Sequence, residues 1–308
     1  GSDLSEISDL VLFIFHGDGS FEDVVTNYHG ITTLKVNSNE IKDDNHNYNV
    51  TFNTTSGTKK LLAVANVAEG GFWEKVIDVL TVAYQNKSSF DEVKKEIVSL
   101  REDLTDGTQP FHITASSQIF ISGWNEGVVF ATGNTVTDYG KYGDSDNKVA
   151  VKMYRGMANV IFKIAANLTA NDGANGTFTP TSFRVYNIPT KSYLVNDKQE
   201  GNSYALTAGV EGVTYINTAS ENIATAQGGF YTFDFYMPEN IQEPGKNASY
   251  SIYAERDKWT VEEEGTSVSG ASPEDKKWTN APQNSTFVVI SGTYEGNATV
   301  DGNNGQSV

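Results

Sequence analysis

Residue types able to do chemistry are sparse and scattered in this sequence. Four histidines, His16, His29, His46 and His112, stand singly. None belongs to a His-x-x-x-His or Glu-x-x-His pair, the spacings that bring two ligands onto one helix face. They read as loop or strand-end histidines. No Gly-x-Ser-x-Gly elbow exposes a serine nucleophile, and no Gly-x-x-x-x-Gly-Lys-Ser/Thr loop cradles phosphates. The chain has no cysteine. That removes disulfide scaffolds, thiolate zinc sites, iron–sulfur clusters and cysteine nucleophiles together. Acidic loops are the remaining candidates for a metal ion. Asp18 and Asp23 flank Gly19, and Asp144-Ser145-Asp146-Asn147 offers oxygens in alternation. Neither matches the twelve-residue calcium loop, and both read as solvated turns. Nothing among the 39 acidic residues marks out a carboxylate pair for glycoside hydrolysis. The residues therefore name no catalytic group, no cofactor and no metal centre.

Two tryptophans are the other candidates. Trp259 and Trp278 lie in polar sequence, near Glu262-Glu263-Glu264 and Asp275-Lys276-Lys277. A tryptophan so placed can stack on a sugar ring; it can equally cover the edge of a sheet.

The elements that would position such residues are mostly strands. The chain is 308 residues long, enough for about two domains at roughly 150 residues each. With 22 basic and 39 acidic residues its net charge is −17. A field of that sign repels nucleic-acid phosphates and anionic lipid, which excludes nucleic-acid binding. No apolar run approaches the roughly 18 residues needed to span a bilayer. Gly1-Ser2-Asp3 in place of an initiator methionine reads as the trace of a cloning tag, with room for a signal peptide removed upstream. Tyrosine and phenylalanine are abundant, 15 and 16 residues, and glycine reaches 28. Aromatic and β-branched residues suit a pleated, half-buried surface, and glycine and asparagine suit turns. This is the profile of an all-β extracellular protein.

Residues 8–15 form a short apolar run that Gly17-Asp18-Gly19 breaks, the pattern of a strand buried on both faces, or of a sandwich-core strand, ending in a turn. Residues 31–36 and 48–52 alternate, and Lys60–Asn66 is another apolar strand. Strands are expected further on at 111–114, 118–121, 149–155, 158–164, 182–188, 193–195, 203–207, 213–216, 230–236, 249–254 and 286–294. Two stretches break the pattern. Residues 72–83 read as a short helix, with Trp73, Val76, Ile77 and Leu80 on one face. The spacing of Val93, Ile97, Leu100 and Leu104 predicts a helix over 88–104, capped by Ser88 or Ser89 ahead of Asp91 and Glu92. The Gly-, Asn- and Asp-rich stretch 132–147 marks a domain boundary. The expected organisation is 1–147, an N-terminal β-sandwich with a helical insertion, and 148–308, a C-terminal β-sandwich. The fold class is all-β with one or two short helices. Many short strands with regular turns mean sandwiches or barrels.

Several segments resemble the fimbrillin family of Bacteroidales, the FimA- and Mfa-like subunits of surface fimbriae. They are Ile7–Gly19, a strand running into an Asp-Gly turn; Leu61–Asn66, an apolar strand ending in Ala-Asn; and Gln118–Gly123, an apolar-Ser-Gly sequence. Tyr154–Phe162 is similar to the family's Arg-x-x-Ala strand, and Phe235–Asn240 to its Tyr-x-x-Glu-Asn signature. Arg155 and Ala158 would lie on one strand, and Glu239-Asn240 would cap a strand end. All of these read as fold markers rather than a catalytic site.

The resemblance implies two tandem β-sandwiches of transthyretin-like or Greek-key type, and a structural role rather than an enzymatic one. It implies a cell-surface location in a fimbrium, from an outer-membrane lipoprotein precursor, with a part in adhesion and biofilm formation. It further implies assembly. An Arg- or Lys-specific protease removes an N-terminal strand, and a strand of another fimbrial subunit fills the exposed groove. For that groove the residues singled out are Leu10, Leu12 and Ile14. Family members continue beyond a segment like Phe287–Tyr294 with further strands, so the C-terminal domain is expected to be incomplete at Val308. The rival reading is a cell-surface glycan-binding lipoprotein using Trp259 or Trp278 as a stacking platform. A glycoside hydrolase is a third and remoter one.

Overall fold

The computed structural model describes residues 7, 9–26, 42–44, 47–50, 52–67, 73–74, 76–101, 119–130, 150–166, 176–195, 210–240, 284–295, 299–300 and 303–304. In chain order the elements are β1 (Leu10–His16), β2 (Phe21–Thr26), β3 (Lys42–Asp44), β4 (Asn47–Asn49), β5 (Gly57–Ala65), β6 (Trp73–Glu74), α1 (Val76–Gln85), α2 (Phe90–Lys94), β7 (Ile97–Leu100), β8 (Ile121–Phe130), β9 (Tyr154–Arg155) and β10 (Met157–Ala165). They continue with β11 (Thr177–Tyr186), β12 (Ile188–Pro189), β13 (Lys191–Tyr193), β14 (Tyr215–Ile216), β15 (Glu221–Asn222), β16 (Phe230–Pro238), β17 (Phe287–Glu295), β18 (Thr299–Val300) and β19 (Asn303–Asn304). The described residues are β-rich with two short helices, in keeping with the all-β class that the composition predicts.

Packing divides it into two compact units. The first takes Gly1–Phe162, Thr190–Ser203 and Phe233–Glu239; the second takes Lys163–Pro189, Tyr204–Thr232 and Asn240–Val308. The first unit is built on an antiparallel five-stranded sheet in the order β2-β1-β5-β8-β9. A smaller sheet, β13-β7-β6, lies in the same unit. The second unit is built on β15-β11-β17, with β12-β14 beside it in sequence. There β11 and β17 pair from Thr177↔Glu295 to Tyr186↔Phe287, and the rings of Tyr186 and Phe287 stack at 4.8 Å. Phe183 and Val185 of β11 are buried.

The five-stranded sheet follows from the residues. Gly17-Asp18-Gly19 closes the β1–β2 hairpin. Gly19 adopts φ +90, the His16 amide donates to the Ser20 carbonyl, and the Asp18 carboxylate accepts from the Ser20 amide at 2.8 Å. A left-handed residue is what glycine supplies at no steric cost. β1 then runs between β2 and β5, with Phe13 opposite Val24 on one side and Leu62 on the other. Leu10 through Phe15 are all buried. A central strand covered on both faces needs apolar residues at every position, which is why this run does not alternate.

The helix expected over 88–104 is much shorter. It occupies Phe90–Lys94, where the Ser89 amide donates to the Glu92 carboxylate at 2.7 Å, and Ile97–Leu100 is a strand instead. The reason is tertiary. Val98 and Leu100 are buried while Ser99 between them is exposed, a period of two, and Ile97–Ser99 pairs antiparallel with Lys191–Tyr193. A partner strand from far along the chain overrides a helical spacing that fits the same residues. The helix read within 72–83 is α1, with Val76, Leu80 and Ala83 buried, and Trp73 precedes it in β6. Arg155 and Ala158 do not share a strand: Gly156, whose amide donates to the Phe120 carbonyl, separates Arg155 in β9 from Ala158 in β10, in the gap between the strands expected at 149–155 and 158–164. The strands expected at 31–36, 111–114, 203–207 and 249–254 lie outside the described residues.

Gly123 shows how tightly the sheet is closed. It stands opposite Ala63 in β5, and a Cβ there would run into the backbone carbonyl of Lys152. Gly123→Ala is expected to lower stability by about 2 kcal/mol, the range for overpacking a closed core. Urea unfolding measures it; an unchanged midpoint would contradict the close approach.

Candidate functional site: a buried strand and its charged end

The described parts of Ile7–Gly19, Leu61–Asn66 and Gln118–Gly123 meet in one sheet with Tyr154–Arg155, the start of the fourth segment. They supply β1, β5, the start of β8, and β9, which are consecutive neighbours in the five-stranded sheet. Ala63 faces Gly123, Val64 faces Ser122, and Ser122 in turn faces Tyr154. At the end of β5, Asn66 takes a left-handed φ of 59 and its amide donates to the Asp9 carbonyl. The buried Asp9 carboxylate accepts from the Val67 amide at 2.8 Å. Of the fifth segment, Asn240 belongs to the second unit and lies just ahead of β17. Asn240 Nδ2 lies 2.9 Å from the Asn284 carbonyl and 2.7 Å from the Thr286 hydroxyl.

Leu10, Leu12 and Ile14 lie together on one face of β1. They form a core with Val25, Leu61, Ala63, Ala65 and Val128, and Val50, Phe52, Phe130 and Met153 pack against it half-buried. The opposite face of β1 is aromatic. Phe13 stacks with Phe15 at 6.0 Å, and Phe15 meets Phe90 of α2 edge-on at 5.5 Å. Each of these side chains contributes roughly 1.5–3 kcal/mol by leaving water. With both neighbours hydrogen-bonded to it, β1 is the keystone of the sheet.

The apolar lane ends in charge. Two residues before Leu61 on the same face of β5 stands Lys59, only 1% exposed, opposite His16 in the β1–β5 ladder. Its ammonium is 2.5 Å from Glu22 Oε2 and 2.5 Å from Thr55 Oγ. Glu22 sits where the β1–β2 register shifts by one residue. Its other carboxylate oxygen accepts from Thr54 Oγ, the Thr55 amide and Thr55 Oγ at 2.8–3.0 Å. His16 Nδ1 lies 3.3 Å from the ammonium and 3.6 Å from Glu22 Oε2. Burial pushes the Glu22 carboxyl up, but Lys59 and the Thr54–Thr55 donors outweigh it and hold the group at about 2. One carboxylate thus ties β2, β5 and the 54–55 segment together at the end of the lane.

This charged end carries no sequence motif. A lysine inside an otherwise apolar strand and a glutamate just past a hairpin turn are the only hints, and they meet only through the register of three strands. Among the described residues no group of three or more His, Asp or Glu side chains is placed to hold a metal ion. Asp18 is engaged with the amide and hydroxyl of Ser20, and Asp23 with the Val24 amide. Trp259, Trp278, His29, His46, His112 and Asp144–Asn147 lie outside the described residues. No described helix is long and apolar enough to cross a membrane.

No protein-family model matches the sequence, nor does any curated protein. Solved structures do. One is the tip fimbrial protein Mfa3 from Porphyromonas gingivalis, with 13% identity over 82% of this chain and 72% of that one, at a TM-score of 0.45. A candidate cell adhesion protein from Parabacteroides distasonis aligns over the whole chain and 78% of its own, at 12% identity and a TM-score of 0.46. The fimbrial anchor protein Mfa2 from Porphyromonas gingivalis aligns over 78% of this chain and 67% of its own, at 7% identity and a TM-score of 0.34. These are fimbrial and adhesion proteins of Bacteroidales, and the chain is similar to them in structure at low identity.

Proposed function

We propose that this chain is a structural subunit of bacterial cell-surface fimbriae, in a shaft, tip or anchor position, rather than an enzyme. In this reading it assembles by strand exchange after proteolysis frees β1, and it supports adhesion at the cell surface from an outer-membrane lipoprotein precursor. Its partners are other fimbrial subunits. The observation that carries the reading is the place of β1, paired on both sides between β2 and β5. Four of the five family-like segments contribute strands to its sheet, and its loss would leave β5 with an unpaired edge from Leu10's partner Ala65 to His16's partner Lys59. An edge of that length beside an apolar lane is a template for another strand. Leu10, Leu12 and Ile14 mark the lane an incoming strand would refill. A head-to-tail contact of this kind propagates into filaments rather than closing into rings.

The sequence narrows where cleavage could occur. Between β1 and the end of β5 the only basic residues are Lys35, Lys42, Lys59 and Lys60. Lys59 and Lys60 belong to β5 itself, in its last two pairs with β1. A basic-residue protease that frees β1 therefore cuts after Lys35 or Lys42 and releases β2 with it. Treating the full precursor with a Lys-specific protease tests this. Expected are ladders on unboiled denaturing gels, filaments by negative-stain microscopy, and a new N-terminus at Val36 or Asp43. A cleaved product that stays monomeric would contradict the polymerising role.

A further inference from the structure

We infer that Lys59 makes the β1 slot selective for an acidic strand: the segment that replaces β1 comes from a neighbouring subunit and carries Asp or Glu opposite Lys59. The inference rests on the proposed exchange at β1. While the hairpin is in place, the buried ammonium of Lys59 is matched by Glu22 at 2.5 Å, with His16 beside it at 3.3 Å. Both partners belong to the hairpin, and only the Thr54–Thr55 segment stays with β5. When β1 and β2 leave, Lys59 keeps the Thr55 hydroxyl and loses the carboxylate. A new strand that buried this ammonium without a counter-charge would leave it uncompensated, which costs far more than the pair gains. An exposed lysine also blunts the free β5 edge against indiscriminate pairing until the right strand arrives.

The ladder specifies the pattern. Ala65, Ala63 and Leu61 face Leu10, Leu12 and Ile14, and Lys59 faces His16. The fitting strand is therefore apolar at three alternate positions and acidic at the fourth, read toward the Lys59 end. A strand with lysine or a neutral residue at that fourth position fits the lane and fails at its end.

The test uses the full chain nicked by a Lys-specific protease, with both fragments still associated. Fluorescent peptides of residues 9–16 are offered at neutral pH in two forms, His16→Glu and His16→Gln. The His16→Glu peptide is expected to bind about tenfold or more tightly than the His16→Gln peptide. That preference should vanish in Lys59→Met protein and persist in Lys59→Arg protein. Equal binding of the two peptides overturns the inference and leaves strand exchange standing. Binding of neither peptide overturns the exchange itself, and the inference with it.

Discussion

Leu12→Asp is expected to abolish the folded state of the first unit. Leu12 is 5% exposed, between Val25 of β2 and Ala63 of β5, in the middle of the apolar lane. The substitution removes a buried leucine side chain, about 2–5 kcal/mol. It also sets a carboxylate among Leu10, Ile14, Leu61 and Val128 with no cation beside it. The group is driven to take up a proton, and the total loss is about 5 kcal/mol, comparable with the stability of a whole domain. Near-ultraviolet circular dichroism and urea unfolding read this directly. Ile14→Asp should behave alike. A cooperative transition within about 1 kcal/mol of the parent, or normal filaments from either variant, would contradict the placement of β1 as the keystone.

The second large effect is electrostatic. Glu22→Gln leaves Lys59 buried without its counter-charge, and the expected cost at neutral pH is about 3 kcal/mol. The effect has a definite pH signature. The folded Glu22 titrates near 2, below the ordinary value of 4.5. The carboxylate therefore contributes fully above pH 4.5, where it is charged in both folded and unfolded chains. The contribution falls as acid takes the pH from 4.5 down toward about 2, where the folded carboxylate at last accepts its proton. The parent and Glu22→Gln should thus differ most at pH 7 and converge below pH 4.5, as urea unfolding at several pH values would show. A difference that stays constant into acid would mean that another group carries it.

Much of this architecture can be read from the residues. The β1 run, its Gly-Asp-Gly turn and the Leu61–Ala65 run of β5 announce buried strands because no polar residue interrupts either run. The capped start of α2 is equally visible in Ser89 and Glu92. The extent of that helix is not. Val93, Ile97 and Leu100 satisfy a helical spacing, while Val98 and Leu100 satisfy a strand spacing, and the choice is made by Lys191–Tyr193, which local sequence does not contain. Gly156 lies in the gap between the strands expected at 149–155 and 158–164. Its place is set by Phe120, whose ring occupies the space a side chain would need. The apolar lane of the candidate site is legible as Leu10, Leu12 and Ile14. Its charged end is not, because Glu22 reaches Lys59 only through a shifted register on one side of β1 and a regular one on the other. Electrostatic partners two strands apart leave no trace in spacing.

The strand order also governs when the sheet can form. Phe13 finds Val24 early, but its other neighbour is Leu62, and Leu62 in turn waits for Trp124. As the chain emerges from the ribosome, Leu10–Phe15 is made well before Leu62 and Trp124 and must stay unpaired on one side until those later residues exist. Such non-local pairing makes for slow folding, because loop closure is unfavourable before contacts offset it. A nascent chain of this design stays unfolded for longer than a local hairpin would allow, with Leu10–Phe15 available to a chaperone throughout that interval.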